Sequence, residues 1–356
     1  MKLRVTNICH FRLMGLLGSI CLLRASIGTA EEPITIEPVE RWTNVFSGSE
    51  VKFHYTVLSA QPFDARVNWS LSVNQRTVKH GQMPLTAKAG HATEVTVTLK
   101  VPKVKDSVIL ESDFRMALYS AGNQEPSAEH VRKVWIFAAD PFASRGEWLK
   151  GLKITLFDPE KNTTEVLEKA SVPFAFTNNI SALDALNDGM LVIGEGTNWK
   201  DHPLLGETMV KAAARGVPVL CLAPGEGNLL LPGIKGADVP QPASLTLRRG
   251  DMIQELDKRL DAVAWPPKDD VNGTFLSMTN DRDRVVMVAG PSPSGWSWLE
   301  LQYPERKSRL LVCGFPIIRR WEETPAPRYL LSVLFQRLTA GKQQPSTLTQ
   351  EGKNGS

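Results

Sequence analysis

Between Pro33 and about Phe137 apolar and polar residues alternate almost one for one. Val51-Lys52-Phe53-His54-Tyr55-Thr56-Val57 is the clearest run, and Val67 to Val73 and Val95 to Val101 repeat it. Successive side chains of a strand point to opposite faces, so strict alternation specifies strands with one dry and one wet face. The runs are separated by turn-rich pieces such as Phe46-Ser47-Gly48-Ser49 and Lys88-Ala89-Gly90-His91. That spacing predicts a β-sandwich over residues 31–140, of immunoglobulin-like or fibronectin-like type, with Val131 to Phe137 as a late strand.

The pattern changes after Ala138-Ala139-Asp140-Pro141-Phe142, which reads as a linker. Short apolar runs then alternate with helical stretches. Leu152 to Phe157, Phe174 to Thr177, Met190 to Ile193 and Val217 to Leu222 read as strands. Helices are expected after Asp158-Pro159, at Ser181 to Asn187, and from Pro203 to Arg215 with Gly216 as a left-handed cap. Asp251 to Ala264 reads as a further helix and Val285 to Ala289 as a strand. Trp296 to Tyr303 and Arg309 to Phe315 form an expected hairpin, and Pro327 to Ala340 a closing helix. Continuous apolar strands joined by amphipathic helices predict a multidomain chain: an N-terminal all-β sandwich followed by an α/β doubly wound, mostly parallel sheet over residues 146–340. The polar tail 341–356 is expected to be disordered.

The first thirty residues belong to neither unit. Lys2, Arg4 and Arg12 precede the apolar run Leu13 to Leu23, and Gly28-Thr29-Ala30 follows it. This is the order of a cleavable secretory signal, with cleavage before Glu31 and a secreted or periplasmic destination. The signal holds Lys2, Arg4, Arg12 and Arg24 and no acid, so of 41 basic residues 37 remain against 38 acidic ones. A near-neutral mature chain without a basic stripe gives no expectation of a nucleic-acid partner. No later stretch is apolar enough to predict a membrane span. Cleavage also leaves two cysteines, Cys221 and Cys313, each inside an apolar run and read as a buried strand thiol. The absence of CxxC, HExxH or a spaced histidine pair predicts neither a metal nor a cofactor.

The stretch Gly216-Val217-Pro218-Val219-Leu220-Cys221-Leu222-Ala223-Pro224-Gly225-Glu226-Gly227 resembles class I glutamine amidotransferases, in which a G-[VI]-P-[VI] strand ends in a sharp turn that carries a cysteine nucleophile. Laid on that pattern, the nucleophile position falls on Ala223, and Cys221 lies two residues early. The resemblance also implies a histidine after a late strand, where this chain reads Val312-Cys313-Gly314-Phe315-Pro316-Ile317-Ile318; the last histidine is His202. No GxSxG occurs. A methyl group cannot attack a carbonyl, so no catalytic residue is assigned and the turn reads as a degenerate nucleophile elbow. The ending Gly314-Phe315-Pro316-Ile317-Ile318-Arg319-Arg320-Trp321 is similar to amidotransferase-like accessory domains of bacterial β-galactosidase-type glycoside hydrolases, which implies a carbohydrate-related accessory role.

In an open α/β sheet ligands lie beyond the carboxyl ends of the strands. Asp158, Glu195, Trp199, Glu226 and Asn228 are therefore the candidate ligand-binding residues, although Asp158 would equally serve as a helix cap and the other acids as solvated loop residues. The same carboxylates would serve a divergent glycosidase if paired across a cleft. Gly194-Glu195-Gly196 and Gly225-Glu226-Gly227 match no phosphate-binding fingerprint. Trp296 and Trp298, two apart and so expected on one strand face, and Trp321 are candidate sugar platforms or core residues. The expected function is an exported, non-catalytic binding or assembly module whose partner is a glycan or an envelope protein. Oligomerisation would use the Trp296 to Tyr303 hairpin if that surface were exposed.

Overall fold

The computed structural model describes residues 34–40, 42–230, 240–260, 276–279, 284–287, 295–303 and 308–340. The expected signal at 1–30 and the tail at 341–356 lie outside them; the helix expected over Asp251 to Ala264 is shorter, ending at Leu256, where Asp257 turns extended.

The N-terminal part is built from strands β1 (Thr35–Pro38), β2 (Asn44–Phe46), β3 (Glu50–Leu58), β4 (Phe63–Val73), β5 (Arg76–Ala87), β6 (Thr93–Lys100), β7 (Ile109–Ser120) and β8 (Ala128–Phe137). They form a three-stranded sheet, β1-β3-β6, and a five-stranded sheet, β2-β8-β7-β4-β5. The alternation does what the sequence dictates. Phe53, Tyr55 and Val57 of β3, Val95, Val97 and Leu99 of β6, and Phe114, Met116 and Leu118 of β7 close one core, while their neighbours, the buried Ala117 excepted, are partly or fully exposed. Phe53 and Phe114 stack at 4.4 Å at its centre.

The C-terminal part comprises α1 (Gly146–Gly151), β9 (Ile154–Phe157), α2 (Asn162–Lys169), β10 (Phe174–Thr177), α3 (Ile180–Asp184), β11 (Met190–Ile193), α4 (Leu205–Arg215) and β12 (Val219–Cys221). It continues with β13 (Gly227–Leu230), β14 (Ser244–Arg248), α5 (Met252–Leu256), β15 (Leu276–Thr279), β16 (Arg284–Met287), β17 (Trp298–Tyr303), β18 (Ser308–Cys313) and α6 (Pro325–Thr339). Seven strands form one sheet in the order β10-β9-β11-β12-β18-β17-β14, and β13-β15-β16 form a separate one.

The expectation of a doubly wound, mostly parallel α/β domain is overturned. Among the described residues eighteen strands stand against six helices, and the chain is predominantly β. α1, α3 and α5 span only five or six residues each. Neighbours from β10 to β18 pair in parallel, but β17 and β14 run antiparallel, and the small sheet is mixed as well. Among the described residues between β12 and β18 five strands stand against one short helix, α5, where a doubly wound fold would alternate strand with helix.

Local signals succeeded better. α4 ends at Gly216 with φ 106°, the left-handed cap expected there. α2 starts at Asn162 rather than at Pro159, after Lys161 at φ 61°. The expected linker is also a packed joint. Phe137 and Phe142 are buried in the core under α6, and Tyr329 meets Phe137 edge to face at 4.7 Å. The Tyr329 hydroxyl donates to the Ala138 carbonyl at 3.1 Å and Arg328 Nη1 to that of Ala139 at 3.0 Å.

Candidate functional site

The ends of β9, β11 and β12 bring together Asp158, Glu195 and Ala223, and the loops that carry them are occupied with one another. Asp158 is fully buried, and its Oδ2 accepts from the Thr164 amide at 2.7 Å and the Thr164 hydroxyl at 2.8 Å. That is a cap for the first turn of α2. A side chain at Gly194 would come within 2.2 Å of Asp158 Oδ1, so only a glycine permits this approach. A Cβ on Gly225 would lie 2.6 Å from the Thr197 carbonyl and 2.8 Å from Asn198 Cα. The glycines let two loops touch backbone to backbone, with Gly225 N donating to Thr197 O at 2.8 Å and Gly196 N to Ala223 O at 2.8 Å. They leave no phosphate cradle.

Glu195 is the most perturbed acid here. It is buried, with Oε2 accepting from the Ile318 amide at 2.6 Å and Oε1 from the Arg319 amide at 3.1 Å. Its own amide donates to Thr163 Oγ1 at 2.8 Å. Burial pushes its pKa up to about 7, against the pull of those amides and of the Arg319 charge. The carboxylate thus ties the end of β11 to the turn after β18. Ala223 is buried, and its methyl faces no open elbow.

The remaining candidates scatter. Trp199 is buried in the core beneath α4, and a Cβ at Gly227 would collide with it at 2.1 Å; it packs and offers no ring face. Glu226 is exposed and ion-paired with Lys200. Asn228 is exposed on β13. Cys221 and Cys313 are both free and buried, on strands paired as Cys221 with Val312, so they face opposite sides of the sheet. Burial raises both thiols, Cys313 to about 12. Trp296 and Trp298 do not share a face: Trp296 leans on one core under the Arg249 guanidinium, and Trp298 is fully buried in the other. The alternation breaks because regular pairing of β17 begins only at Trp298. Trp321 is core too. The hairpin proposed for oligomerisation lies inside the sheet, with Trp298, Leu299, Leu301 and Tyr303 buried and β14 covering its flank.

Two features were missed from the sequence. Glu300, 2% exposed, accepts from Arg337 at 2.9 and 3.2 Å and faces Arg309 at 3.4 Å, which pins α6 to the sheet. The other is a groove of about 780 Å³ on the outer face of the five-stranded sheet, lined by Asp64, Arg66, Gln82, Met83, Tyr119 and Asn123 among others. Among the described residues no group of three or more metal-ligating side chains gathers, and no helix is long and apolar enough to cross a membrane.

No protein-family model matches the sequence, and no curated protein matches it at a significant level. Solved structures similar to parts of the chain include the sporulation control protein Spo0M from Bacillus subtilis, 15% identical over 30% of this chain and 50% of that one, with a TM-score of 0.23. A Paenibacillus cycloisomaltooligosaccharide glucanotransferase is 10% identical over 56% of this chain and 28% of its own, with a TM-score of 0.24. A Bacteroides fragilis chain assigned as a β-galactosidase is 9% identical over 55% of this chain and 29% of its own, with a TM-score of 0.23. The chain thus spans half the length of the first and less than a third of the two enzymes.

Proposed function

We propose that this chain is an exported, non-catalytic module that binds a glycan or an envelope protein. The observation that carries the reading is the internal use of the strand-end groups: Asp158 caps a helix, Glu195 holds two backbone amides, and Ala223 stands buried where a nucleophile would be needed. A general acid must reach a substrate proton within hydrogen-bond distance, and a nucleophile must be exposed to it. Glu226, the exposed acid, is engaged by Lys200. The reading includes a likeness of the segment Gly216 to Gly227 to an amidotransferase nucleophile turn, supported by its Gly-Val-Pro-Val strand and Gly-rich end, with Ala223 where the nucleophile would stand. Export is supported by the basic, apolar and small-residue order of the first thirty residues.

The test is a turnover screen of the purified protein against chromogenic glycosides, esters and amides. No product is expected above buffer. Product formation that is abolished in Glu195→Ala or Glu226→Ala overturns the reading in favour of a hydrolase.

A further inference from the structure

We propose that the outer face of the five-stranded sheet is a binding site for a neutral oligosaccharide, with the Tyr119 ring as the platform for one sugar and Asp64, Arg66, Gln82 and Asn123 as polar contacts. The inference rests on the reading of the chain as a binding module and gives that module its ligand.

The site is assembled by strand register. β4 presents Asp64 and Arg66 outward, and Arg66 lies opposite Tyr119 on β7 and Pro84 on β5. Gln82 follows on β5, and Asn123 comes from the turn after β7. Three strands and a loop therefore converge on one groove of about 780 Å³, within the range of roughly 300–1,000 Å³ that small-molecule sites occupy. The lining is electrically balanced: Asp64 and Arg66 cancel, and the other polar groups are amides and hydroxyls. Such a surface favours neither an anion nor a cation. It suits vicinal hydroxyls, which donate to a carboxylate or amide oxygen and accept from an amide or guanidinium.

Tyr119 is half-buried, so its ring is held by the sheet while part of it remains open. The Arg66 guanidinium sits 6.0 Å from the ring centre, the outer limit of a cation–π contact, and does not stack closely on it. An aromatic body with a polar tip is the surface on which the C–H face of a pyranose rests. A peptide added along the edge is disfavoured by Pro84. β5 is the last strand of the sheet, and a proline in an edge strand removes an outward donor at the level of the groove.

The test titrates the full chain with neutral hexaoses of the cello, malto, xylo and galacto series by calorimetry, beside Tyr119→Ala, Arg66→Ala and, on the exposed face of α2, Glu168→Gln. Thermal unfolding shows whether each variant is folded. Wild type is expected to bind at least one hexaose, Tyr119→Ala to weaken it tenfold or more, and Glu168→Gln to leave it unchanged. Binding that survives Tyr119→Ala and Arg66→Ala intact overturns this site while leaving a binding module. Binding of no hexaose, or of an extended peptide in the same groove, overturns the ligand class. Cleavage of a hexaose would instead overturn the non-catalytic reading, so the two failures are separate.

Discussion

Replacing Glu195 with glutamine should change how the stability of this protein depends on pH. Burial raises the carboxyl from 4.5 to about 7 in the folded chain. The unfolded chain therefore gives up this proton first, and between those values the folded state holds more protons. Stability from this group is fully present below pH 4.5, falls as pH rises through the window, and is lost above about 7. At about 1.36 kcal/mol per unit, the shift corresponds to a loss of about 3 kcal/mol across it. Glutamine cannot ionise, so Glu195→Gln lacks this slope. Its carbonyl can accept from one of the Ile318 and Arg319 amides, but its NH2 must face the other, which costs about 1–2 kcal/mol at the acid end. Urea unfolding of both proteins across this window reads the difference directly, since every other titrating group is common to the pair. Wild type should be the more stable in acid, with the gap closing or reversing toward neutral and mildly alkaline pH. A difference that stays constant with pH would refute the burial argument.

Other outcomes follow from the packing. Phe137→Ala removes a fully buried ring from the joint between the sandwich and the C-terminal core and should cost about 3–5 kcal/mol in denaturant unfolding. Arg337→Ala leaves the buried Glu300 carboxylate with Arg309 at 3.4 Å as its remaining cationic neighbour, and a loss of about 3–5 kcal/mol is expected in the same assay. Cys221 and Cys313 should resist a thiol reagent in the native protein and react only on unfolding; rapid native labelling of either would contradict their burial. If export proceeds as proposed, intact-mass analysis of the protein from the envelope fraction should place the first residue at Glu31.

What the sequence revealed depended on which surfaces a strand or helix shows to water. β3, β6 and β8 were legible because one face of each is wet, which writes a period of two into the residues. β5 was not read: it is an edge strand, polar along most of its length and interrupted by Gly81 and Pro84. The hairpin of Trp296 to Tyr303 with Arg309 to Phe315 was read from the sequence, and β17 and β18 do pair antiparallel. The doubly wound expectation failed beyond it: β14, antiparallel on the other flank of β17, is exposed along Ser244 to Thr246 and carries no clear apolar run.

The site was legible in position but not in role. Asp158, Glu195 and Ala223 do lie at strand ends, yet Glu195 finds its partners 123 and 124 residues away, on backbone amides that leave no mark in side-chain identity. Trp199 is core because Gly206 lets α4 lie on its indole and Gly227 lets β13 pass its backbone, contacts that the sequence does not show. The groove needed the register of Arg66 with Tyr119 and Pro84, which no single strand carries.

The strand-end crevice is closed by its own backbone, and amide hydrogen exchange reads that closure residue by residue. The amides of Gly196, Gly225, Ile318 and Arg319 each donate to a group across that crevice and should exchange only through opening of the C-terminal core. Rapid exchange at these four amides, with the strands behind them still protected, would mean that the crevice is open.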